Sequence, residues 1–236
     1  MSDALDELVD GAPTVGVMGG HALKRGTARY AGAALLGSRL AGAGLTVVTG
    51  GGPGAMEAAN LGAFAPDEAA LTGAVRRLAA VPSFVPDIEA WARTALEVHD
   101  DLLRVPVPDR HVRSIGIPTW FYGHEPPNVF CDGIAKYFSN ALREDGLLAR
   151  CTAGLVVLEG AAGTVQEVFQ VATRLFYAQE GASLPVVVLV GERHWTRALP
   201  VWPVVQALGA GRTMAARTHL VDSVDAAAEV VLASTR

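Results

Sequence analysis

Residues 45–62, which read LTVVTGGGPGAMEAANLG, decide the architecture that this chain is expected to adopt. Residues 45–49 form a short apolar, β-branched run of the length that a buried strand needs. Four positions without a Cβ follow closely, at Gly50, Gly51, Gly52 and Gly54. Such a run can bring its backbone N–H groups close to a ligand, and Pro53 favours a helix directly after it. Strand, glycine loop and helix N-terminus together predict an anion site, with a tight turn that binds nothing as the alternative.

Length and composition limit the functions to consider. A chain of 236 residues, half of them hydrophobic and 6% aromatic, suits one α/β domain whose strands are covered by helices. The net charge of −5 and the lack of a Lys/Arg run argue against nucleic-acid binding. The sequence contains no apolar run of the roughly 18–20 residues that span a membrane. Residues 1–10 are acidic and unlike a secretory signal, so a cytoplasmic protein is expected.

Strand and helix patterns alternate along the chain. Thr14–Met18 is predicted to be a strand leading into Gly19-Gly20, and residues 27–43 form a helix that Gly44 ends. Further strands are predicted at residues 114–122, 155–158, 185–190 and 219–221, and further helices at 54–61, 128–150, 163–179, 198–208 and 224–233. This alternation predicts an α/β, three-layer Rossmann-like fold, a mainly parallel sheet flanked by helices in a single domain over residues 1–236.

Residues 65–113 interrupt this alternation. Pro82 and Pro86 separate two predicted helices, at residues 67–81 and 87–105, which delay the third strand. The segment is therefore predicted to be a helical insertion. It could serve as a lid, as a dimer surface, or as an addition with no role in the site.

Glycine-bearing loops follow three of the predicted strands, at residues 19–20, 50–54 and 160–163. Ligands of an open parallel sheet lie beyond the carboxyl ends of its strands, so adjacent strands would bring these loops to one crevice. A nucleoside monophosphate or a related phosphorylated small molecule is the expected ligand. Cys131 and Cys151 have no metal-binding spacing, and neither a metal nor another cofactor is expected.

Other nucleotide and cofactor sites fit the residues less well. Gly50, Gly52 and Ala55 match the dinucleotide fingerprint loosely, but the region about 20 positions further on, VRRL at residues 75–78, holds no acidic residue. The Gly-Lys-[Ser/Thr] of a P-loop does not occur in the sequence. Lys24 and Lys136 are the only lysines, and neither has the setting of a Schiff-base lysine in a pyridoxal-phosphate decarboxylase.

Two motifs carry a resemblance to a known family. Residues 49–60, TGGGPGAMEAAN, resemble the GGGxGxM signature of the Lonely Guy (LOG) family, Rossmann-like nucleoside 5'-monophosphate phosphoribohydrolases formerly mislabelled lysine decarboxylases. Residues 159–167, EGAAGTVQE, resemble its second signature, PGGxGTxxE. The resemblance implies a homodimeric hydrolase that releases free base and ribose 5-phosphate from nucleoside 5'-monophosphates, with cytokinin riboside monophosphates among the substrates to test.

The resemblance also implies roles for individual residues. Glu167 is implied as the catalytic carboxylate, although Thr-x-x-Glu is also the sequence of a helix capping box with Thr164. Arg143 is the nearest match to a family arginine and is implied as a second catalytic residue, with a solvated surface arginine as the alternative. Phosphate or nucleotide contacts are implied for Gly19, Gly20, Gly50, Gly51, Gly52, Gly54, Ala55, Met56, Asn128, Gly160, Gly163 and Thr164. His21, Glu57, His124 and Glu125 are further pocket candidates.

The second motif departs from the family pattern at Glu159 and Ala161, where the family has Pro and Gly. A carboxylate at the mouth of a phosphate loop would repel the phosphate. Ala161 would be strained at a positive φ. The loop must therefore be reshaped, or Glu159 must point away or pair with an arginine, and Glu159 is predicted to face away from the ligand phosphate. A non-catalytic carrier or sensor on the same scaffold, like the molybdenum-cofactor carriers that resemble this family, is the alternative function.

Overall fold

A seven-stranded parallel sheet forms the centre of the computed structural model, which describes residues 2–9, 11–106, 112–120, 125–179 and 181–235. Its strands are β1 (Thr14–Met18), β2 (Thr46–Thr49), β3 (Ser114–Gly116), β4 (Gly133–Ile134), β5 (Gly154–Val157), β6 (Val186–Val190) and β7 (Thr218–Val221). Their spatial order is β4-β3-β2-β1-β5-β6-β7. The chain therefore builds one half of the sheet outward from β1, returns to its centre at β5, and builds the other half.

Helices cover both faces of the sheet. They are α1 (Ser2–Val9), α2 (Ala28–Gly42), α3 (Ala55–Phe64), α4 (Glu68–Leu78), α5 (Ile88–Arg104), α6 (Asn140–Arg150), α7 (Ala162–Phe176), α8 (Trp202–Gly209) and α9 (Val224–Ser234). Alternate residues of β1 enter opposite hydrophobic clusters: Val15 and Val17 face α2, α3 and α9, whereas Met18 packs on the side of α6 and α7. These two packed faces confirm the predicted three-layer α/β, Rossmann-like fold.

The described helices include none that is both long enough and apolar enough to cross a membrane.

Residues 65–113 contain the two expected helices. Asp67 caps α4 by accepting a hydrogen bond of 2.8 Å from the amide of Ala70, and Asp87 caps α5 with one of 2.9 Å from the amide of Ala90. Both helices bury an apolar stripe against the rest of the domain. The interpretation of this segment as an insertion stays a prediction.

The helix predicted over residues 128–150 is wrong in its first half. The carboxylate of Asp132 accepts hydrogen bonds of 2.9 and 3.0 Å from the amides of Arg113 and Ser114, which draws this segment to the sheet edge as β4. A Cβ at Gly133 would lie 2.5 Å from Leu8 of α1, so α1 packs closely on β4. The helix α6 begins only at Asn140, after the cap Ser139.

Three smaller differences concern the ends of elements. The N-terminal helix α1, which buries Leu5, was not predicted from the acidic segment. The strand expected over residues 114–122 ends at Gly116, and residues 121–122 lie outside the described part of the chain. The helix expected over residues 198–208 begins at Trp202, because Pro200 separates it from a π-helical turn at His194–Ala198.

Candidate functional site

A cleft of about 1340 Å³ lies along the carboxyl ends of the strands. Residues that follow all seven strands line it, and the reversal of strand order between β1 and β5 lies near its middle. That is where open α/β sheets bind ligands, because the connections on either side diverge. Among the described residues, nine charged side chains line the cleft: Lys24, Arg29, Glu125, Lys136, Arg143, Glu144, Glu159, Glu167 and Asp222. With five carboxylates and four cations, a bound anion relies on local donors and helix dipoles more than on net charge.

The glycine loop after β2 is shaped by close contacts on both sides. Gly51 and Gly54 have φ angles of 71° and 72°, where other residues are strained. A Cβ at Gly54 would lie 2.5 Å from the carbonyl oxygen of Gly20, so the loops after β1 and β2 touch. A Cβ at Gly50 would lie 2.9 Å from Met56 Sδ and 3.1 Å from Arg143 Nη1. Gly50 therefore makes room for the arginine, and it does not itself line the cleft.

Two buried asparagines support this loop from behind. Asn128 Nδ2 donates to the carbonyl oxygen of Gly52 at 3.0 Å and to Asn60 Oδ1 at 3.1 Å. Asn60 Oδ1 also accepts a hydrogen bond of 2.5 Å from Thr49 Oγ1 at the end of β2. Asn128 is 2% exposed and is not among the residues that line the cleft. The structure therefore places Asn128, expected to contact the ligand, as a support of the glycine loop.

The second motif forms the N-terminus of α7. A Cβ at Gly160 would lie 2.1 Å from Thr164 Oγ1, so Gly160 leaves room for the buried threonine. The residue before α7 is Ala161, with a φ of −118°, which an alanine adopts without strain. Thr164 is the third residue of the helix, so the capping box considered for Thr164 and Glu167 does not form.

Two of the helix N-termini at the cleft, those of α3 and α7, begin without a side-chain cap. Gly54 precedes α3 and Ala161 precedes α7, and neither supplies a side-chain oxygen to the first amides of its helix. By contrast, α2 and α9, whose first residues also line the cleft, begin with a side-chain cap, as do α4, α5 and α6, while α8 begins without one. The amide of Ala55, the first of α3, donates to the carbonyl oxygen of Gly20 at 3.1 Å. The remaining first-turn amides, which no side chain caps, and the positive end of each helix dipole favour an anion at these two termini.

Arg143 and Glu167 are brought together at this point of the cleft. Arg143 Nη1 lies 3.4 Å from Glu167 Oε1, a long contact for a charge-assisted hydrogen bond, which is usually about 2.7–2.9 Å. Arg143 Nη2 is held more closely by Asn140 Oδ1 at 2.7 Å and contacts Glu144 Oε1 at 3.4 Å. Glu144 in turn accepts a hydrogen bond of 2.6 Å from Gln166. One guanidinium thus stands between two carboxylates, and it is buried, unlike the solvated surface arginine considered from the sequence.

Burial raises the pKa of Glu167 to about 7, since the carboxylate loses water that Arg143 replaces only in part, and the charge of Glu144 raises it further. The side chain is 12% exposed and lines the cleft. At neutral pH the carboxyl group is therefore divided between its charged and neutral forms. Such a group can exchange a proton with a ligand, and its charge changes in the range where cells operate.

The pH dependence of anion binding follows from this pKa. As the pH falls from 8 to 6, Glu167 gains a proton and its repulsion of a nearby anion disappears, so affinity should rise. One charge–charge contact at 4 Å in water is worth about 1 kcal/mol, or roughly fivefold in affinity. Sulfate is the suitable probe in a calorimetric titration, because its charge is constant across this range. Glu167→Gln should bind sulfate as the wild type does at pH 6 and lose most of the pH dependence; an unchanged slope would exclude Glu167 as its source.

Glu159 pairs with an arginine, one of the arrangements that the sequence left open; its orientation relative to a ligand phosphate stays a prediction. Its Oε2 lies 2.6 Å from Arg29 Nη1 and 3.8 Å from His194 Nδ1. His194 Nε2 donates to the carbonyl oxygen of Gly160 at 3.1 Å, which joins the β6 side of the cleft to the second motif. Glu159 still lines the cleft, but its charge is offset by Arg29.

The remaining pocket candidates lie around the entrance or behind it. His21 Nδ1 lies 3.0 Å from Glu125 Oε1, and this pair joins the loop after β1 to the segment between β3 and β4. Glu57 is fully buried and pairs with Arg25, outside the cleft. His124 lies outside the described residues.

The expected site residues thus fall into two groups. Those that line the cleft are Gly19, Gly20, Gly51, Gly52, Met56, Arg143, Gly160, Gly163, Thr164 and Glu167. Those that shape it from behind are Gly50, Gly54, Ala55 and Asn128. Sequence reasoning missed Arg29, Trp120, Glu144 and His194, which belong to no motif and enter the cleft through the order of the strands.

The chain has a Rossmann-like α/β fold, and its candidate site is the cleft at the carboxyl edge of the sheet. No family model matches the chain, and no curated protein matches it. Two structures of the molybdenum cofactor carrier protein from Chlamydomonas reinhardtii are similar, with TM-scores of 0.56 and 0.54 at 19% and 20% identity. The two matches cover 95% and 94% of this chain, and each covers 98% of the carrier-protein chain.

A molybdenum cofactor binding protein from the phototrophic bacterium Rippkaea orientalis is also similar, with a TM-score of 0.53 at 17% identity. That match covers 95% of this chain and 98% of the other. At such identities, the likeness establishes the fold.

Proposed function

We propose that this protein binds a phosphorylated small molecule as a carrier, with a molybdenum cofactor as the first ligand to test. The observation that carries the proposal is the pair of uncapped helix N-termini, of α3 and α7, at one cleft of about 1340 Å³. Ligand pockets are usually roughly 300–1,000 Å³, so this cleft has room for more than a nucleoside monophosphate. The described residues contain no cluster of three or more His, Cys, Asp or Glu that could hold a metal ion.

The chemistry of the cleft suits the phosphate and the ring of such a cofactor better than its metal. A phosphate group fits the uncapped N-termini of α3 and α7, close to Arg143. Cys131 and Cys151 are the only cysteines and do not line the cleft. Burial raises the pKa of both thiols, which keeps them protonated and poor metal ligands. The chain would therefore hold a phosphorylated pterin through its phosphate and ring.

The test is to express the protein in a bacterium that makes molybdenum cofactor and to measure the pterin that purifies with it, as a fluorescent oxidation product. Gly163→Asp places a carboxylate at the N-terminus of α7, at a position where a Cβ meets nothing within 4 Å. The variant should fold and carry much less pterin than the wild type. Gly73→Asp, on α4 and equally open, is the matched control and should carry a wild-type amount. Wild-type protein without pterin, or Gly163→Asp with as much pterin, would contradict the proposal.

Hydrolysis of nucleoside 5'-monophosphates, as in the Lonely Guy family, is the second candidate. The placement of Glu167 beside the N-terminus of α7, with Arg143 next to it, supports this candidate, because N-glycosidic cleavage needs a carboxylate near the anomeric carbon. Incubation with AMP, CMP and cytokinin riboside monophosphates, followed by chromatography for free base, distinguishes the two functions. Base release that Glu167→Gln abolishes would favour the hydrolase. Binding without release would favour the carrier.

The expected homodimer and the cytoplasmic location remain parts of this proposal. A cluster of exposed apolar side chains near β4 and the start of α6 gives a partner chain a surface to contact: Ile134, Phe138 and Leu142 are 55%, 65% and 63% exposed.

A further inference from the structure

The cleft is long as well as large. Trp120 follows β3 and His194 follows β6, and both line it. Four strand intervals separate β3 from β6 in the sheet order. At about 4.8 Å for each interval, the two ends of this stretch lie about 19 Å apart. The glycine loops after β2 and β5, and the N-termini of α3 and α7, lie midway between them.

The middle of the cleft has the donors that a phosphate needs. Besides the uncapped helix termini, Arg143 lines this part, and its side chain is only 9% exposed. Arg143 Nε is buried and has no hydrogen-bond partner within the described part of the chain. An arginine that is buried without full hydrogen bonding is costly unless a ligand supplies the missing contacts. A negative group bound over β1 would place its charge beside this guanidinium.

The first end of the cleft is aromatic and cationic. Trp120 is 55% exposed although it lines the cleft, and Lys136 Nζ lies 3.9 Å from the centre of its ring. Phe138 stacks on Trp120, with 6.0 Å between ring centres. Lys136 and Lys24 are the only lysines of the chain, and both line the cleft. An exposed tryptophan beside a cation is a surface on which a planar heteroaromatic ring stacks.

The second end of the cleft is polar. Glu159 lies there, with its Oε2 2.6 Å from Arg29 Nη1 and 3.8 Å from His194 Nδ1. Gly32 leaves space beside them, because a Cβ there would meet Val224 only at 3.8 Å. A Cβ at Gly191 would lie 3.1 Å from Glu159 Oε1, so Gly191 makes room for the carboxylate. Guanidinium, carboxylate and imidazole groups can hydrogen-bond the edge of a second planar ring.

We propose that the ligand is of the dinucleotide type, with two planar ring systems joined through a central diphosphate. The diphosphate lies over β1 between the N-termini of α3 and α7, one ring stacks at Trp120, and the other lies against Arg29 and His194. This inference rests on the proposed function, the binding of a phosphorylated small molecule, and adds the class of ligand. A nucleoside monophosphate would reach only one end of the cleft.

Calorimetric titrations with AMP, ADP and P1,P2-di(adenosine-5') diphosphate test the proposal. The dinucleotide should bind at least tenfold more tightly than either mononucleotide, because it alone reaches both ends. Trp120→Ala removes the stacking surface and should weaken dinucleotide binding by roughly fivefold to a hundredfold, the range for one stacked base. Gly32→Leu fills the second end and should also weaken dinucleotide binding. AMP reaches only one end of the cleft, so its affinity should be unchanged in at least one of the two variants, Trp120→Ala or Gly32→Leu.

Gly42→Leu is the matched control for the second end. Gly42 is in the same helix as Gly32, but a Cβ there meets nothing within 4 Å, and Gly42 does not line the cleft. Its affinities should equal those of the wild type. If AMP and ADP bind and Gly163→Asp weakens them, but the dinucleotide is no tighter, the phosphate site stands and the two-ended ligand is refuted. If none of the three nucleotides binds, the dinucleotide proposal is also overturned, and the pterin measurement decides the carrier proposal separately.

Discussion

Gly62→Ala is expected to lower the free energy of unfolding by about 3 kcal/mol, at the upper end of the usual cost of overpacking. A Cβ at Gly62 of α3 would lie 1.8 Å from the carbonyl oxygen of Ala34 and 2.8 Å from the amide nitrogen of Ser38. Both are backbone atoms of α2, which no side-chain rotation can move. Gly37 of α2 is as close, since a Cβ there would lie 2.0 Å from the carbonyl oxygen of Ala59. The two helices would have to separate to admit the methyl group.

Thermal and urea unfolding measure this effect. A loss of about 3 kcal/mol corresponds to a fall in Tm of roughly 6–12 °C for a domain of this size. Gly73→Ala is the control, because Gly73 lies within α4 and a Cβ there meets nothing within 4 Å. That substitution should add about 0.5–1 kcal/mol, the helix propensity that glycine lacks. A Gly62→Ala variant as stable as the wild type would mean that α2 and α3 pack less closely than described.

The sequence predicted the order of elements well because each strand and helix has a local signal. The run at residues 45–49 and the glycines after it belong to a local pattern, and β2, its loop and α3 follow as expected. The contact between α2 and α3 has no such signal. Gly37 and Gly62 lie in ordinary helical stretches, and only the crossing of the two helices requires them to be glycine. For the same reason, β4 was mistaken for helix, since Asp132 pairs with a strand about twenty residues earlier.

The candidate site was predicted only in part, because some of its residues belong to local motifs and others come from distant parts of the chain. Motif residues such as Gly51, Thr164 and Glu167 are adjacent in sequence to the helix N-termini that form the site, so local reasoning found them. Their partners come from distant elements. Arg29 of α2 pairs with Glu159 after β5, and Asn128 supports a loop that is 76 residues away in sequence. From the sequence, pairing with an arginine was one of the arrangements open to Glu159, and nothing local to the motif identified Arg29 as its partner.

A second large effect is expected at the buried pair of Arg25 and Glu57, which adjoins the cleft behind the loop after β1. Arg25 Nε donates to Glu57 Oε2 at 2.9 Å, and Arg25 Nη2 donates to Oε1 at 2.5 Å. Tyr30 Oη donates a third hydrogen bond of 2.9 Å to Glu57. Arg25 also donates to the carbonyl oxygen of Trp91 at 3.0 Å and lies over its ring, which ties this loop to α5. Glu57, a pocket candidate from the sequence, is therefore a structural residue in this arrangement.

Arg25→Met should lower the free energy of unfolding by about 3–5 kcal/mol, because it leaves a fully buried carboxylate with no cation beside it. The double variant Arg25→Met/Glu57→Leu removes both charges and should recover much of this loss, since apolar replacements of buried pairs are often close to neutral.

Arg93→Met is the matched control: its partner Glu89 lies 2.6 Å away, but the two side chains are 62% and 83% exposed. That change should cost less than about 0.5 kcal/mol, as exposed helical pairs do. Urea unfolding of the four proteins completes the comparison. A loss below about 1 kcal/mol for Arg25→Met would mean that water reaches Glu57. A double variant less stable than Arg25→Met would mean that the two side chains stabilise the fold through their packing with Tyr30 and Trp91 rather than through their charges.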